Sequence, residues 1–239
     1  MPRISIVVAY FNRQGLLDKS LESIHASEVK DYELIIVDDA SDVPVVCDEA
    51  KIIRIEKKDK WWHNPCIPYN MGFKAATGDI VVIQNPECYH VGDVLAYARD
   101  NTKPNTYQSF SCYALNRNDT WGLHHGEFPA IKDRMYKHPE NNGWYNHPLH
   151  RAVGFHFCSA IWKDDLDELG GFDERYAEGI GYDDDDLVMR IKRNKMRLDI
   201  VEKPYVLHQF HMPMSYQVSD MKMLHQRNKQ LFRSIWQRS

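Results

Sequence analysis

Four consecutive aspartates, Asp183 to Asp186, sit immediately after Gly179-Ile180-Gly181-Tyr182. Carboxylates at the start of a helix favour its macrodipole, but one or two would serve that purpose. Four neighbours repel one another, and like charges at short range raise the pKa of one member, which makes a general base. The glycines before them free the backbone for a close approach. Two histidines, His208 and His211, follow the apolar run Tyr205-Val206-Leu207. A single histidine there would be an ordinary core residue. The pair, taken with a carboxylate at Glu87, suits a divalent ion of the Mn²⁺ type that accepts oxygen and imidazole ligands together. Glu87 closes the stretch Gln84-Asn85-Pro86-Glu87, where an apolar strand stops. Asn-Pro alone is a turn signal. A carboxylate held by a rigid proline at a strand end is also where ligands bind in open α/β sheets.

These groups need a scaffold, and the apolar pattern supplies one. Strands are expected at Ile4–Ala9, Tyr32–Val37, Ile52–Ile55 and Asp79–Ile83, with helices over Gly15–Ala26 and Asn70–Ala76. That β-α-β-β-α-β order predicts an α/β fold with a mostly parallel sheet flanked by helices, working at the carboxyl ends of its strands. Asp38-Asp39 and Asn85-Pro86-Glu87 both fall on that edge. From 101 to 151 the chain is polar and aromatic with weak periodicity, and reads as loops and short strands over the sheet. Order returns at Val153–Ala160, in a helix opened by Asp183 to Asp186, in a strand Arg197–Val201, and in a helical tail from Ser215 to Trp236. The tail's stripe of Met221, Leu224, Leu231, Phe232 and Ile235 reads as a helix docked on its own core.

The 239 residues suffice for one large domain, and no linker or repeat divides them. No apolar run nears the ~18–20 residues of a membrane span, so membrane association is expected to be peripheral at most. A net charge of −4 and a pI of about 6.3 give no pull toward nucleic acid. Five scattered cysteines without a CxxC fit a reducing, cytoplasmic setting rather than a disulfide framework.

Four stretches taken together resemble a known family. "VVAYFNRQGLL", "IIVDDAS", "NPCIPYNMGFKAATGDIVVIQNPE" and "GGFDERYAEGIGYDDDDLVMRI" occur in the order of a GT-A fold inverting glycosyltransferase of the family 2 type, with a C-terminal half similar to the β-1,4-galactosyltransferases. The resemblance implies a Rossmann-like nucleotide-sugar-binding fold, with residues 1–100 as the nucleotide-sugar half and 101–239 as the acceptor-binding and catalytic half. It implies donor contacts from Ala9, Tyr10, Arg13, Asp39, Asn70 and Asn85, with Asp39 accepting the imino hydrogen of the base. Asn85-Pro86-Glu87 falls where the family has Asp-x-Asp, so one formal charge is lost. Glu87 and His208, or His211 in its place, would hold Mn²⁺ or Mg²⁺.

By motif position Asp184 would be the general base, with Asp183 and Asp185 binding the acceptor sugar. Ile180 stands where the related galactosyltransferases carry a Trp, so acceptor stacking would be lost or come from Trp121 or Trp144. The implied reaction moves a hexose from a nucleotide sugar, a UDP-sugar by expectation, to a hydroxyl of a saccharide or glycoconjugate. The missing first Asp also motivates a catalytically impaired nucleotide-sugar-binding module on the same fold. An acidic cluster of this kind would serve a metal-dependent phosphoesterase or nucleotidyltransferase too.

Overall fold

The computed structural model describes residues 1–212 and 220–237. Its centre is one nine-stranded sheet in the order β3-β2-β1-β4-β8-β6-β9-β5, with β7 paired to β6. The strands are β1 (Ile4–Tyr10), β2 (Tyr32–Asp38), β3 (Lys51–Arg54), β4 (Ile80–Gln84), β5 (Cys88–Val91), β6 (Thr106–Ala114), β7 (Gly143–Asn146), β8 (Cys158–Trp162) and β9 (Arg197–His208). β1 to β4 are mutually parallel; β8 runs antiparallel between β4 and β6, β9 is parallel to β6, and β5 and β7 pair antiparallel with β9 and β6. This is the expected α/β architecture.

The continuous apolar runs of the first strands follow from burial on both faces. Ile4, Ile6, Val8 and Tyr10 of β1 enter one core cluster with Leu34, Ile36, Ile80 and Val82. Val7 points the other way, into a second cluster with Ile35, Val37, Val81 and Ile83. The first face is covered by α1 (Gln14–His25), through Leu17, Leu21 and Ile24, and by α3 (Val94–Asn101). On the second face lie α2 (Cys66–Ala75), α5 (Lys163–Leu169) and α6 (Asp183–Arg193), which bury Tyr69, Phe73, Leu166, Leu187 and Ile191. α4 (Arg117–His124) and α7 (Met221–Trp236) complete the chain.

Several elements differ from the sequence expectation. β6 is no cover loop but a strand inside the sheet, buried at every position. Two of its polar residues are paired within the protein: Thr102 donates to Gln108 at 2.8 Å, and Ser109 donates to the Phe155 carbonyl at 2.6 Å while accepting from Asn146, whereas the Tyr107 hydroxyl and Ser111 Oγ are buried without a partner. Polar texture therefore marked buried groups, not exposure. α2 starts at Cys66 rather than Asn70, because Pro68 falls in the first turn, where its missing N–H costs nothing. After the expected turn at Asn85-Pro86, Cys88 opens β5, which pairs with the end of β9. β9 runs on past Val201 to His208, and the expected interruption survives as an irregularity where its pairing with β6 skips from Val201 to Tyr205. The tail helix is found from Met221, while the part of that expectation falling on 215–219 lies outside the described residues. Among the described residues, no helix is long and apolar enough to cross a membrane.

One glycine fixes the seating of α2 on the sheet. A Cβ at Gly72 would lie 2.3 Å from Val7 Cγ1 and 3.3 Å from Val37 Cγ2. Gly72→Ala should destabilise the protein by ~1–3 kcal/mol through overpacking, read as a lower denaturation midpoint with unchanged slope.

Candidate functional site

The parallel register brings three loops to one edge. Tyr10 pairs with Asp38, and Val8 with Gln84, so β1, β2 and β4 end side by side. The two acids of the β2 end then separate in role. Asp38 is fully buried and accepts from the Ser41 and Val45 amides, at 3.0 Å each, and from Arg54. Burial would raise its carboxyl, but these bonds outweigh it and hold the pKa low. Asp39 faces a cleft, bound by Lys60 Nζ at 2.8 Å and Trp62 Nε1 at 2.9 Å. There burial prevails over the Lys60 partner, and its pKa is raised.

The cleft, about 250 Å³, is lined by Ala9, Tyr10, Arg13, Asp39, Asn85 and Glu87 from the strand ends and by His156, Asp183 and Asp184 from the later half of the chain. A neighbouring hollow of about 440 Å³ shares Phe11 and Arg13 with it and reaches His124 and His211. Asn85 is fixed by accepting from the Tyr69 hydroxyl at 2.8 Å, while its backbone N–H donates to the Phe157 carbonyl at 3.0 Å.

Glu87 is 2% exposed and gathers three partners from distant parts of the chain. Arg13 Nη1 lies 2.7 Å from Oε2, and His208 Nε2 and His211 Nε2 lie 3.1 and 3.4 Å from Oε1. Burial opposes ionisation of Glu87, yet Arg13 and the two imidazoles win and hold its carboxyl well below the ordinary range. His208 shifts the other way: burial lowers its pKa despite Glu87. The contact is thus an anion accepting from a neutral imidazole, with Arg13 as the charge partner. Both histidines turn to Glu87.

The ligand atoms of Glu87, His208 and His211 all lie within 4.8 Å of one another. A divalent ion with ligands at ~2.0–2.3 Å, arranged at right angles, sets its ligand atoms ~3 Å apart, so the donor set fits such an ion. Binding would require the His208 ring to move its proton to Nδ1.

α6 is preceded by its N-cap Tyr182, which has a left-handed φ of 67°, after Gly181 at φ 70°. The close approach at Gly179 is made by the protein itself: a Cβ there would lie 2.1 Å from Asn228 Oδ1. Asn228 of α7 donates to the carbonyls of Tyr176 and Gly181 at 3.0 and 2.9 Å, and Trp236 Nε1 donates to Asp186 at 2.8 Å. Asp186 also binds Arg190 and so belongs to the support. Asp183 is buried beside Asp184, and burial followed by that repulsion pushes its carboxyl up to about 6, although Asn64 donates to it at 2.7 Å. Asp184 accepts from the His156 backbone N–H at 3.0 Å and from ring Nδ1 of the same residue.

Some expected residues stand elsewhere. Asn70 is absent from the cleft lining; its side chain donates to Phe172 O at 2.8 Å and Glu174 Oε1 at 3.0 Å and accepts from Phe172 N, tying α2 to the loop before α6. Asp185 does not line the cleft either. Trp144 is 4% exposed and packs on Tyr113, whereas Trp121 is exposed and stacks on His125, so neither ring reaches the cleft. Sequence reasoning missed His156, Lys60, Asn64 and Tyr69. For His156 a signal existed, an imidazole inside the apolar run Val153-Gly154-Phe155-His156-Phe157-Cys158.

The model of glycosyl transferase family 2 matches residues 5–170, and that described as the N-terminal domain of galactosyltransferase matches residues 145–213. A segment of 41 residues, 17% of the chain, is 49% identical to the GalNAc(5)-diNAcBac-PP-undecaprenol beta-1,3-glucosyltransferase of Campylobacter jejuni subsp. jejuni serotype O:2, and covers 13% of that protein. The fold is similar to that of the mannosyltransferase PcManGT from Pyrobaculum calidifontis in complex with GDP-Man and Mn²⁺ (TM-score 0.55, 18% identity, 87% of this chain and 57% of that one). S. aureus TarS with UDP-GlcNAc gives a TM-score of 0.64 at 15% identity, over 93% of this chain and 64% of that one. GalNAc-T7 with UDP, GalNAc and Mn²⁺ gives 0.67 at 14% identity, over 98% and 48%. The chain thus spans less than two thirds of each of these proteins, and at such identities the likeness is one of fold, the GT-A type.

The raised Asp183 carboxyl carries a cost to the fold. With a folded pKa of about 6 against ~3.9 unfolded, the native state binds the extra proton, so stability falls as pH rises through that window. Asp183→Asn should therefore raise stability at pH 7–8 by ~1–3 kcal/mol, and the gain should vanish near pH 4, as denaturant titrations at the two pH values would read.

Proposed function

The chain belongs to glycosyl transferase family 2, and on that premise we propose that it is a metal-dependent inverting glycosyltransferase. It would move a hexose from a nucleotide sugar, a UDP-sugar by preference, to a hydroxyl of a saccharide or glycoconjugate acceptor. Residues 1–100 would supply most of the donor side and 101–239 the acceptor and catalytic side. One observation carries this reading: a single cleft is lined both by Asn85, Glu87 and Arg13 and by Asp183 and Asp184. A donor's anomeric carbon held between them would expose one face to a carboxylate and turn the other to the leaving diphosphate.

In this reading Ala9 and Tyr10 line the nucleotide, and Asp39 accepts the imino hydrogen of its base. Lys60 and Trp62 hold the Asp39 carboxylate in place for that bond. Asn85, oriented by Tyr69, meets the ribose or the sugar. Glu87, His208 and His211 would hold Mn²⁺ or Mg²⁺, which when bound supplies positive charge to the departing diphosphate. Arg13, already beside Glu87, adds a fixed guanidinium to the same region. Asp184 removes the proton of the acceptor hydroxyl as that oxygen attacks; one such base with direct attack inverts the anomeric configuration. Asp183 bonds the acceptor, and Asp185 could join it only through an acceptor that extends beyond the cleft lining.

Donor turnover tests the reading. Mn²⁺-dependent release of nucleoside diphosphate from a nucleotide sugar is expected, with Asp184→Asn lowering kcat by ~10²–10⁴ while donor affinity survives. Equal slow release by wild type and Asp184→Asn would instead favour a binding module, which the Asn85 replacement motivates. A nucleoside monophosphate product would identify a phosphoesterase or nucleotidyltransferase. By calorimetry, Glu87→Ala should weaken Mn²⁺-dependent donor binding at least ~10-fold, and unchanged metal dependence would remove Glu87 from the site.

A further inference from the structure

His156 lies outside every motif discussed above, yet it is the side chain joined most directly to the proposed base. It is 6% exposed, at the end of the loop that enters β8. Its ring packs edge-on against Tyr69, with centroids 5.2 Å apart, and against Phe172 at 4.7 Å. These contacts come from α2 and from the loop before α6, so the imidazole has little freedom to rotate. Both of its hydrogen bonds to Asp184, from the backbone N–H and from Nδ1, end on the same oxygen, Oδ1. We propose that His156 is a positioning residue that saturates Asp184 Oδ1 and thereby leaves Oδ2 as the oxygen presented to the acceptor hydroxyl. The inference rests on the transferase reading above.

The chemistry follows from the two-oxygen geometry. A free carboxylate can rotate and offer either oxygen, and proton transfer needs one lone pair within hydrogen-bond reach of the attacking hydroxyl. Two donors on Oδ1 lock the plane of the group. Nδ1 donates in both the neutral Nδ1–H tautomer and the imidazolium, so the clamp persists across the titration of the ring. The charge of the ring still matters. Burial alone would lower the His156 pKa, but Asp184, and then Asp183, prevail and raise it. Below that pKa the imidazolium places a positive charge beside the Asp184 carboxylate, and above it the ring is neutral. The titratable groups facing the ring are Asp183 and Asp184 from α6 and the Tyr69 phenol from α2, the last bonded to Asn85.

The test compares two replacements and one spectroscopic readout. His156→Phe keeps the bulk and removes the ring donor; kcat should fall ~10–100-fold with the donor KM little changed. His156→Asn, whose amide can donate near the Nδ1 position, should recover most of that loss and lack the limb of the pH profile that belongs to the imidazole. The same profile in Asp183→Asn separates the Asp183 titration from it. Independently of turnover, NMR of the imidazole should show His156 in wild type titrating above an ordinary histidine and falling when Asp184 is replaced by Asn. Unaltered titration in Asp184→Asn, or equal losses in the Phe and Asn variants, would overturn the proposal. If wild type transfers no sugar while the NMR coupling is present, the transferase reading fails and the His156–Asp184 clamp stands as a structural pair.

Discussion

A carboxylate at 2% exposure cannot stay charged in a protein interior unless the surrounding chain supplies its counter-charge and hydrogen bonds. Glu87 is such a group, and meeting that demand organises the site. Arg13 comes from the turn between β1 and α1, and His208 and His211 come from the end of β9, more than a hundred residues later. The backbone joins in, with Gln209 N–H donating to the Glu87 carbonyl at 3.1 Å and its side chain reaching Leu16 and Ser20 of α1. One buried acid thus ties the first helix, the β4–β5 turn and the last strand into a single knot. The same knot offers a divalent ion three ligands of mixed type.

The start of α6 obeys a different constraint, the repulsion among adjacent aspartates. The fold divides them. Asp186 is withdrawn to Arg190 and Trp236, and Asp183 is buried against Asn64. Asp184 is clamped by His156 at the cleft. α7 holds this start in place, since Asn228 takes the carbonyls of Tyr176 and Gly181 and the ring of Phe232 packs on Tyr182. The loop that presents the acids is therefore held by a helix that arrives last in the chain.

Much of this was legible from pattern alone. The β-branched runs of β1, β2 and β4 announced strands buried on both faces, and the acids at their ends announced the working edge. Pairing Glu87 with two histidines needed only residue types. The middle of the chain was illegible for a physical reason: β6 is rich in Thr, Gln, Ser and Tyr, and nothing local reveals that all of it will be buried, with Gln108 and Ser109 paired to Thr102, Phe155 and Asn146. Asn70 misled in the opposite sense, since a polar residue beside a motif can serve the backbone of Phe172 as readily as a ligand.

The sequence by itself determined which residue types stand at the strand ends and how the apolar periods alternate, because both are properties of neighbours along the chain. Only the tertiary structure decided which of those groups meet. That Asp38 is structural and Asp39 faces the cleft, that both histidines turn to Glu87, and that His156 seizes one oxygen of Asp184 all depend on contacts between segments far apart in the chain. Hydrogen-bond partners and burial set those charges and orientations, and they exist only once the sheet has closed and the helices have packed against it.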